Sequence, residues 1–174
     1  MSVKNDKPFF EDIYQKYKNT VYLVAYSILK IREDAEDVTQ DVFMSFFQMK
    51  EREKIKNLKS YLLTMSHNKA LNLLKKRNRE ELVEDISEIG YESQMFRKET
   101  SDSELPKLVE KLINKLPDTE RQVFILHFNG ELKFREISKI MDVSVSEAYR
   151  RYKKAVKILK DKLIKGGYYE RKNN

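Results

Sequence analysis

The sequence predicts an all-α protein with two helical domains joined by a flexible acidic linker. Only four Gly and three Pro occur in 174 residues, whereas Lys, Glu, Leu and Ile, most of which favour helices, are abundant. Apolar residues recur every three or four positions in several long segments, as on one face of a helix. The net charge is +5 over residues 1–80, −6 over 81–104 and +8 over 105–174, which predicts two basic domains flanking an acidic linker.

The composition excludes several classes of protein. No run of about 18 uncharged apolar residues occurs and the N-terminus lacks a signal-peptide apolar stretch, so a cytoplasmic protein without membrane insertion is expected. The lack of Cys excludes disulfides, thiol catalysis and Cys-based metal sites. Nothing marks His67 or His127 as a ligand, and His127 is expected to be a partly buried packing residue. With no glycine-rich phosphate loop and no Ser/His/acid set, we expect no enzyme, metal, cofactor or small-molecule substrate.

The first domain is expected to begin with two helices. Apolar residues at helical spacing from Phe10 to Leu29 predict the first helix. The second follows from Glu33, and the face opposite its apolar residues is acidic: Glu33, Asp34, Glu36, Asp37 and Asp41. Acidic residues early in a helix complement its dipole, which would explain part of this pattern. So dense an acidic face in a basic protein also suits a basic protein partner.

A third helix is expected at residues 61–74, after a frayed helix end and loop at residues 50–60. The loop breaks the apolar periodicity and is rich in Lys, and the helix runs into a basic segment at residues 75–79. Tyr61, Asn68 and Asn72 offer a ring for stacking and amides for base edges, beside cations for phosphates. The alternative is a surface helix whose basic end is only solvated.

The second domain is expected to end in a helix-turn-helix. An apolar stripe from Leu105 to Leu116 predicts its first helix, and Pro117 stands near the start of the next. A short amphipathic helix at residues 134–141 is followed by a break at residues 142–144. Ser144 and Glu147 then have the spacing of a capping box, in which Ser accepts the Glu N–H and Glu reaches back to the cap.

The last predicted helix has an apolar stripe and an opposite basic arc. The stripe consists of Ala148, Tyr152, Ala155, Leu159 and Leu163, and the arc of Arg150, Lys153, Lys154, Lys157 and Lys160. A helix of this kind, second in a helix-turn-helix, suits a DNA major groove. The alternative is a helical hairpin whose basic face is only solvated.

Three segments occur in order along the chain: VYLVAYSILKIREDAEDVTQDVFMSFF, SYLLTMSHNKALNLLKKRNR and LPDTERQVFILHFNGELKFREISKIMDVSVSEAYRRYKKA. Together they resemble the sigma-70 family of bacterial RNA polymerase initiation factors, and the short two-domain layout resembles its extracytoplasmic-function (ECF) branch. The resemblance covers nearly the whole chain apart from the linker and the C-terminal end. It implies a factor that binds core RNA polymerase and directs promoter recognition, DNA melting and transcription initiation.

The resemblance assigns roles in the first domain. In this family an EDxxQ-like helix docks on a coiled coil of the polymerase, and the matching residues are Asp37, Gln40 and Asp41. The third helix and the loop before it match the part that melts the minus-ten element. Capture of a flipped base is assigned to Asn68 and to the loop residues Lys56, Asn57, Leu58 and Lys59. Tyr61, where the family often has Trp, and Asn72 share this surface, and phosphate contacts are assigned to Lys69, Lys75, Lys76, Arg77 and Arg79.

The resemblance also implies that the last helix reads the minus-thirty-five element. The residues expected to face or flank DNA are Ser146, Glu147, Tyr149, Arg150, Arg151, Lys153, Lys154 and Lys157. Where the family usually has Gly-Thr-Val and then a basic-Ser-Arg triplet, this chain has Ser146-Glu147-Ala148 and Tyr149-Arg150-Arg151. Glu147 either accepts from a cytosine amino group or, as we favour, caps its helix. Asp142 replaces the usual turn Gly and tolerates left-handed geometry better than most residues.

The sequence therefore predicts an ECF-type sigma factor with domains at residues 1–80 and 105–174 and a linker at 81–104. Its expected partners are core RNA polymerase, promoter DNA and an anti-sigma factor, and it should bind duplex DNA only weakly by itself. A stand-alone helix-turn-helix regulator is the main alternative, and it would need neither the acidic helix nor the Asn68 segment. An anti-sigma or adaptor protein without a DNA role is a further alternative, against which two basic domains argue.

Overall fold

The computed structural model describes residues 6–81 and 104–165, and within these ranges the chain is all-helical, as predicted. Contacts divide the chain into two compact units, Met1–Tyr91 and Glu92–Asn174. The predicted linker falls almost entirely on residues 82–103, which lie outside the described residues, so its conformation and the domain boundaries stay predictions. In the described part of the chain no helix is both long and apolar enough to cross a membrane.

Three helices, α1 (Asp6–Leu29), α2 (Arg32–Gln48) and α3 (Leu58–Glu81), pack against one another in the first unit. The predicted apolar stripe of α1 forms the centre of the core, since Val21, Val24 and Ala25 are fully buried. The buried hydroxyl of Ser66 on α3 donates to the backbone oxygen of Val21 at 2.8 Å, which satisfies a polar group between the two helices. The predicted periodicity of the first two helices is therefore confirmed.

The start of α3 differs from the prediction. The helix begins at Leu58 rather than at residue 61, so Leu58 and Lys59 lie in its first turn and not in a loop. Asn57 caps the helix, because its Oδ1 accepts the N–H of Ser60 at 3.0 Å. Before it, residues 50–57 form a turn and a short 3₁₀ helix, Arg52–Lys54, in place of a frayed helix end. The guanidinium of Arg52 holds this segment, donating to the carbonyls of Phe47 and Met49 at the end of α2.

The second unit contains α4 (Glu104–Asn114), α5 (Asp118–Phe128), α6 (Phe134–Ile140) and α7 (Val145–Lys165). Pro117 is the N-cap of α5, consistent with its predicted place at a helix start. Arg121 is buried, and its guanidinium donates to the carbonyls of Asn114 and Leu116 and to the carboxylate of Asp118. These bonds satisfy carbonyls left open where α4 ends, so the cation fixes the corner between α4 and α5.

The predicted helix-turn-helix is formed by α6 and α7. Asp142 lies in the turn with a φ of 51°, so the left-handed geometry expected at this position is confirmed. Ser144 Oγ accepts the N–H of Glu147 at 3.0 Å, and Ala148 and Ala155 of the predicted stripe are fully buried. His127 stacks on Phe134 with ring centroids 4.4 Å apart, and its Nδ1 lies 2.8 Å from the carbonyl of Leu132. Its predicted packing role is therefore confirmed.

Candidate polymerase and nucleic-acid interfaces

Three residues on the acidic side of α2, Asp37, Gln40 and Asp41, are exposed. The opposite side of the helix buries Ala35, Val38, Val42, Phe43 and Phe46 in the core. This burial leaves the three polar side chains available to a partner. The structure thus brings together the residues that the sequence assigned to core polymerase.

Met44 extends this face with an apolar side chain that is 56% exposed. Its spacing of three from Asp41, four from Gln40 and seven from Asp37 places the four residues on one side of the helix. Met44 is not among the residues predicted from the sequence, although the same spacing indicates it. An exposed Met beside carboxylates is a suitable apolar contact for a docking surface, because its flexible side chain adapts to the partner.

Two ion pairs connect α2 with α3. Asp34 accepts a hydrogen bond from Arg77 at 2.6 Å, with both side chains more than two-thirds buried. Asp41 lies 3.6 Å from the ammonium of Lys69. Two cations assigned to phosphates therefore have carboxylate partners within the unit.

An open groove of about 290 Å³ also lies between α1 and α2 beside the acidic face, and its lining includes Tyr14, Lys18, Tyr22, Glu36 and Gln40.

The basic face of α3 consists of Asn68, Asn72, Lys75, Lys76 and Arg79. These residues are exposed and, apart from the adjacent pair Lys75 and Lys76, follow one another at spacings of three or four, so they share one side of the helix. Lys69 and Arg77 flank this face and are partly buried. Amides and cations therefore lie along one surface, which is the arrangement that a nucleic-acid strand requires.

The remaining minus-ten candidates precede this face or lie in the first turn of α3. Lys56 and Asn57 are exposed, whereas Leu58, Lys59 and Tyr61 are partly buried. The amide oxygen of Asn57 is engaged as the helix cap, so this side chain has a structural role that the sequence analysis did not assign. The hydroxyl of Tyr61 lies 3.7 Å from the sulfur of Met49, which orients the ring.

The basic arc of α7 is exposed at Arg150, Lys153, Lys154 and Lys157, and Ser146 and Tyr149 are exposed beside it. Lys154 has a structural partner, since its Nζ donates to Glu120 on α5 at 2.6 Å. The Glu120 side chain is only 7% exposed. Burial alone would raise the pKa of Glu120, but hydrogen bonds from Lys154 and Thr119 outweigh it and hold the pKa below its ordinary value.

Glu147 does not complete the predicted capping box, because its carboxylate binds two arginines of its own helix. Arg150 donates Nε to Oε2 and Nη2 to Oε1, both at 2.8 Å, and Arg151 donates Nε to Oε1 at 2.6 Å. These hydrogen bonds, first from Arg151 and then from Arg150, lower the pKa of Glu147. In the bonds to guanidinium both the donor and the acceptor are charged, and the pair with Arg150 is bidentate, whereas the cap N–H is a single uncharged donor, which explains the difference.

Across residues 6–81 and 104–165, no group of three or more His, Asp or Glu side chains is arranged to hold a metal ion. The described surfaces present groups suited to binding. One face is acidic with an apolar side chain, and two faces are basic with amides or aromatic rings.

Two protein-family models match this chain. Residues 13–80 match sigma-70 region 2 and residues 107–159 match sigma-70 region 4. Among curated proteins, the ECF RNA polymerase sigma factor SigM of Bacillus subtilis is 25% identical over 134 residues, covering 77% of this chain and 82% of SigM. The ECF RNA polymerase sigma factor SigW of the same species is 24% identical over 172 residues, covering 92% of this chain and 91% of SigW.

Two solved structures share the fold. The sigma factor RpoE, in complex with the anti-sigma factor NepR from Bartonella quintana, matches with a TM-score of 0.68 at 20% identity, covering 87% of this chain and 94% of RpoE. CnrH, in complex with the cytosolic domain of CnrY, matches with a TM-score of 0.57 at 18% identity, covering 92% of this chain and 90% of CnrH. The family predicted from the sequence is confirmed: the chain belongs to the sigma-70 family of RNA polymerase sigma factors, in its ECF branch.

Proposed function

We propose that this ECF sigma factor uses the acidic face of α2 to bind core RNA polymerase and its two basic faces to bind the promoter. The observation that carries the proposal is that both halves of the chain match regions of the sigma-70 family. The chain binds core polymerase and directs promoter recognition, as this family does. A stand-alone helix-turn-helix regulator is not favoured, because it has no need for a region 2 domain.

Docking on the polymerase would combine charge with apolar burial. Asp37 and Asp41 are exposed carboxylates that a basic coiled coil would attract, which speeds encounter and fixes orientation. Met44, at the end of this face, would supply the apolar area that such charges cannot. Gln40 adds an amide that can donate and accept in the same interface.

The basic face of α3 would hold the melted minus-ten strand. Extruding a base costs a few kcal/mol, which stacking and edge hydrogen bonds must offset. Asn68 and Asn72 present exposed amides suited to base edges, and Tyr61 offers a ring within three turns of them. Lys75, Lys76 and Arg79 lie further along the helix, where they would neutralise successive phosphates.

The helix α7 would enter the major groove of the minus-thirty-five element. Its first turns carry Ser146, Tyr149 and Arg150 as exposed side chains, and recognition helices place their N-terminal residues against base edges. Lys153 and Lys157 lie one and two turns on, where they would contact the phosphate backbone.

The polymerase would supply all of the chemistry. The sigma factor contributes binding and strand separation, needs no cofactor, and acts in the cytoplasm with the polymerase and the chromosome. An anti-sigma factor is proposed as a regulatory partner, since the sigma factor RpoE is bound to the anti-sigma factor NepR and CnrH, which shares the fold, is bound to the cytosolic domain of CnrY. A partner of this kind would compete with core polymerase and reduce transcript yield when titrated.

Run-off transcription tests the proposal. Core polymerase of the source bacterium is mixed with the wild type or with Asp37→Lys/Asp41→Lys, on pooled promoter fragments from its genome. Specific transcripts are expected with the wild type and should vanish with the variant, because the reversed charges would repel a basic coiled coil.

The matched control is Asp12→Lys/Asp161→Lys, which makes the same change in net charge at exposed positions outside α2. Its transcripts should equal those of the wild type, and circular dichroism should show both variants to be folded. Tight binding of duplex DNA by the free protein, with no transcripts in any reaction, would instead support the stand-alone regulator.

A further inference from the structure

We propose that Glu147 is a positioning residue that orients Arg150 to read a guanine in the minus-thirty-five element. The assignment rests on the proposed function and adds to it a base and a way of recognising that base. The two roles considered from the sequence, a helix cap and a cytosine contact, both leave the carboxylate free of the arginines. In the structure it binds both of them.

The carboxylate occupies one edge of the Arg150 guanidinium. Arg150 Nε donates to Oε2 and Arg150 Nη2 donates to Oε1, each at 2.8 Å, which is a side-on bidentate pair. A guanidinium has five N–H donors in a fixed planar fork. The edge formed by Nη1 and the second N–H of Nη2 is not used by Glu147. This end-on edge can bind a second planar acceptor while the first pair stays in place.

Guanine presents the acceptor that fits this edge. In the major groove its O6 and N7 lie side by side, and the bidentate pair of arginine with guanine is the commonest specific protein–DNA contact. Arg150 is in the second turn of α7, and 70% of its side chain is exposed. A recognition helix enters the major groove with this part of its length. Arg150 is therefore both oriented and accessible.

Arg151 has a different position. Its side chain is only 23% exposed, and its Nε donates to the same Oε1 at 2.6 Å. Glu147 is itself 24% exposed and has both oxygens engaged, so a contact with cytosine would require it to release an arginine. The arrangement fits a carboxylate that orients Arg150, the residue that contacts the base, and that is itself held in place by Arg151.

Holding Arg150 in place should increase discrimination more than affinity. An arginine that is already oriented loses less rotamer freedom when it binds one base, and its pair with Glu147 opposes movement to a neighbouring base or phosphate. The negative charge of Glu147 also reduces the attraction of α7 for any duplex. Removing the carboxylate should therefore weaken sequence preference and strengthen binding to unrelated DNA.

The test is a selection by the complete holoenzyme from promoters whose minus-thirty-five region is randomised. The proteins compared are the wild type, Glu147→Gln, Arg150→Lys and the control Asp161→Asn, which removes one negative charge from the other end of α7. The wild type and Asp161→Asn should enrich a guanine at one position. Arg150→Lys should lose this preference about tenfold or more, because an ammonium cannot make the bidentate contact. Glu147→Gln should lose it several-fold and retain more unrelated DNA.

A modified promoter then probes the acceptor directly. Replacing the selected guanine by 7-deazaguanine removes N7, so wild-type binding should weaken several-fold while Arg150→Lys changes little. Selection of the same guanine to the same extent by all four proteins would overturn the assignment. Loss of a cytosine preference by Glu147→Gln, with Arg150→Lys unaffected, would overturn it in favour of a direct Glu147 contact. A wild-type holoenzyme that enriches no sequence would overturn the proposed function, and this assignment with it.

Discussion

Lys154 shows how an exposed residue of a basic surface can also be the partner of a buried carboxylate. Its ammonium is the partner of Glu120, a carboxylate that is almost fully buried and lies 34 residues earlier. The sequence predicted the basic arc of α7 correctly, but no local pattern connects two residues so far apart. Only the packing of α5 against α7 brings them together. The assignment of Lys154 to DNA therefore competes with a structural role.

Replacing Lys154 should destabilise the second unit. In Lys154→Met the Glu120 carboxylate stays buried without its cation, and we expect the free energy of unfolding to fall by about 1–3 kcal/mol. Urea denaturation followed by circular dichroism measures the change. The control Lys153→Met removes the same charge at an exposed neighbouring position and should cost less than about 0.5 kcal/mol.

The double variant Glu120→Gln/Lys154→Met separates the two roles of Lys154. Neutralising both partners removes the unpaired buried charge, so most of the lost stability should return. If Lys154 is mainly structural, the double variant should also keep promoter binding in the holoenzyme, whereas Lys153→Met should weaken it. Equal stability of Lys154→Met and Lys153→Met would contradict the structural role.

Glu120 should also make stability depend on pH. Its native pKa lies below the ordinary value of 4.5, so the native protein binds fewer protons there than the unfolded chain. The ion pair therefore contributes its full stability above about pH 5, and the contribution is lost as the pH falls through the native pKa. The difference in free energy of unfolding between the wild type and Glu120→Gln should shrink from pH 6 to pH 3, as measured by urea titrations. A difference that stays constant over this range would contradict the prediction.

At the scale of elements, periodicity predicted the seven α-helices of residues 6–81 and 104–165 well and their ends less well. The apolar stripe of α3 starts late, since Leu58 is only partly buried and the residues before it are mostly Lys and Glu. The start of the helix is fixed by Asn57, whose side chain caps it. Asn is a preferred N-cap residue, so this signal was present in the sequence. The resemblance to the sigma-70 family instead assigned Asn57 to the capture of a flipped base.

Two substitutions at Asn57 distinguish a cap from a base contact. Asn57→Ala should reduce the free energy of unfolding by about 1 kcal/mol, because the N–H of Ser60 loses its partner. Asn57→Ser keeps a capping oxygen but lacks the amide, so it should restore most of that stability. Thermal or urea unfolding measures the first effect.

Run-off transcription measures whether the Asn57 side chain also contacts the minus-ten element of the promoter. If Asn57 acts mainly as a cap, Asn57→Ser should support run-off transcription at close to the wild-type level. If the amide also captures the flipped base, Asn57→Ser should be as defective as Asn57→Ala despite its restored stability. The comparison removes the ambiguity that an Ala substitution alone would leave.

At the scale of the whole molecule, the net charge of +7 overstates the attraction for DNA. Five of the cations assigned to DNA have carboxylate partners within their own unit. Lys69 lies near Asp41, Arg77 pairs with Asp34, Arg150 and Arg151 share Glu147, and Lys154 pairs with Glu120. The sequence predicted weak duplex binding from the small size of each basic face. These pairs provide a second physical reason, which only the structure could supply.

Removing three of these carboxylates should increase the affinity of the free protein for DNA. We expect Asp34→Asn/Asp41→Asn/Glu147→Gln to bind an unrelated duplex about tenfold more tightly than the wild type in about 50 mM salt, because the released cations can neutralise phosphates. The slope of log affinity against log salt should become steeper by about 1–3. Fluorescence anisotropy between about 50 and 200 mM salt measures both quantities. The wild type should show no electrophoretic shift at nanomolar concentration and physiological salt.

The control for this variant must have the same net charge. Asp12→Asn/Glu53→Gln/Asp161→Asn also removes three negative charges, at exposed positions that make none of the ion pairs named above. Exposed charges separated by more than about 10 Å are largely screened at about 0.1 M salt, so the control should gain affinity only at the lowest salt. If Asp34→Asn/Asp41→Asn/Glu147→Gln gains more affinity for DNA than the control at every salt concentration, the ion pairs within each unit are the cause of weak binding. Equal gains would mean that net charge alone governs the affinity, and the ion pairs would then have no part in keeping the free sigma factor off DNA.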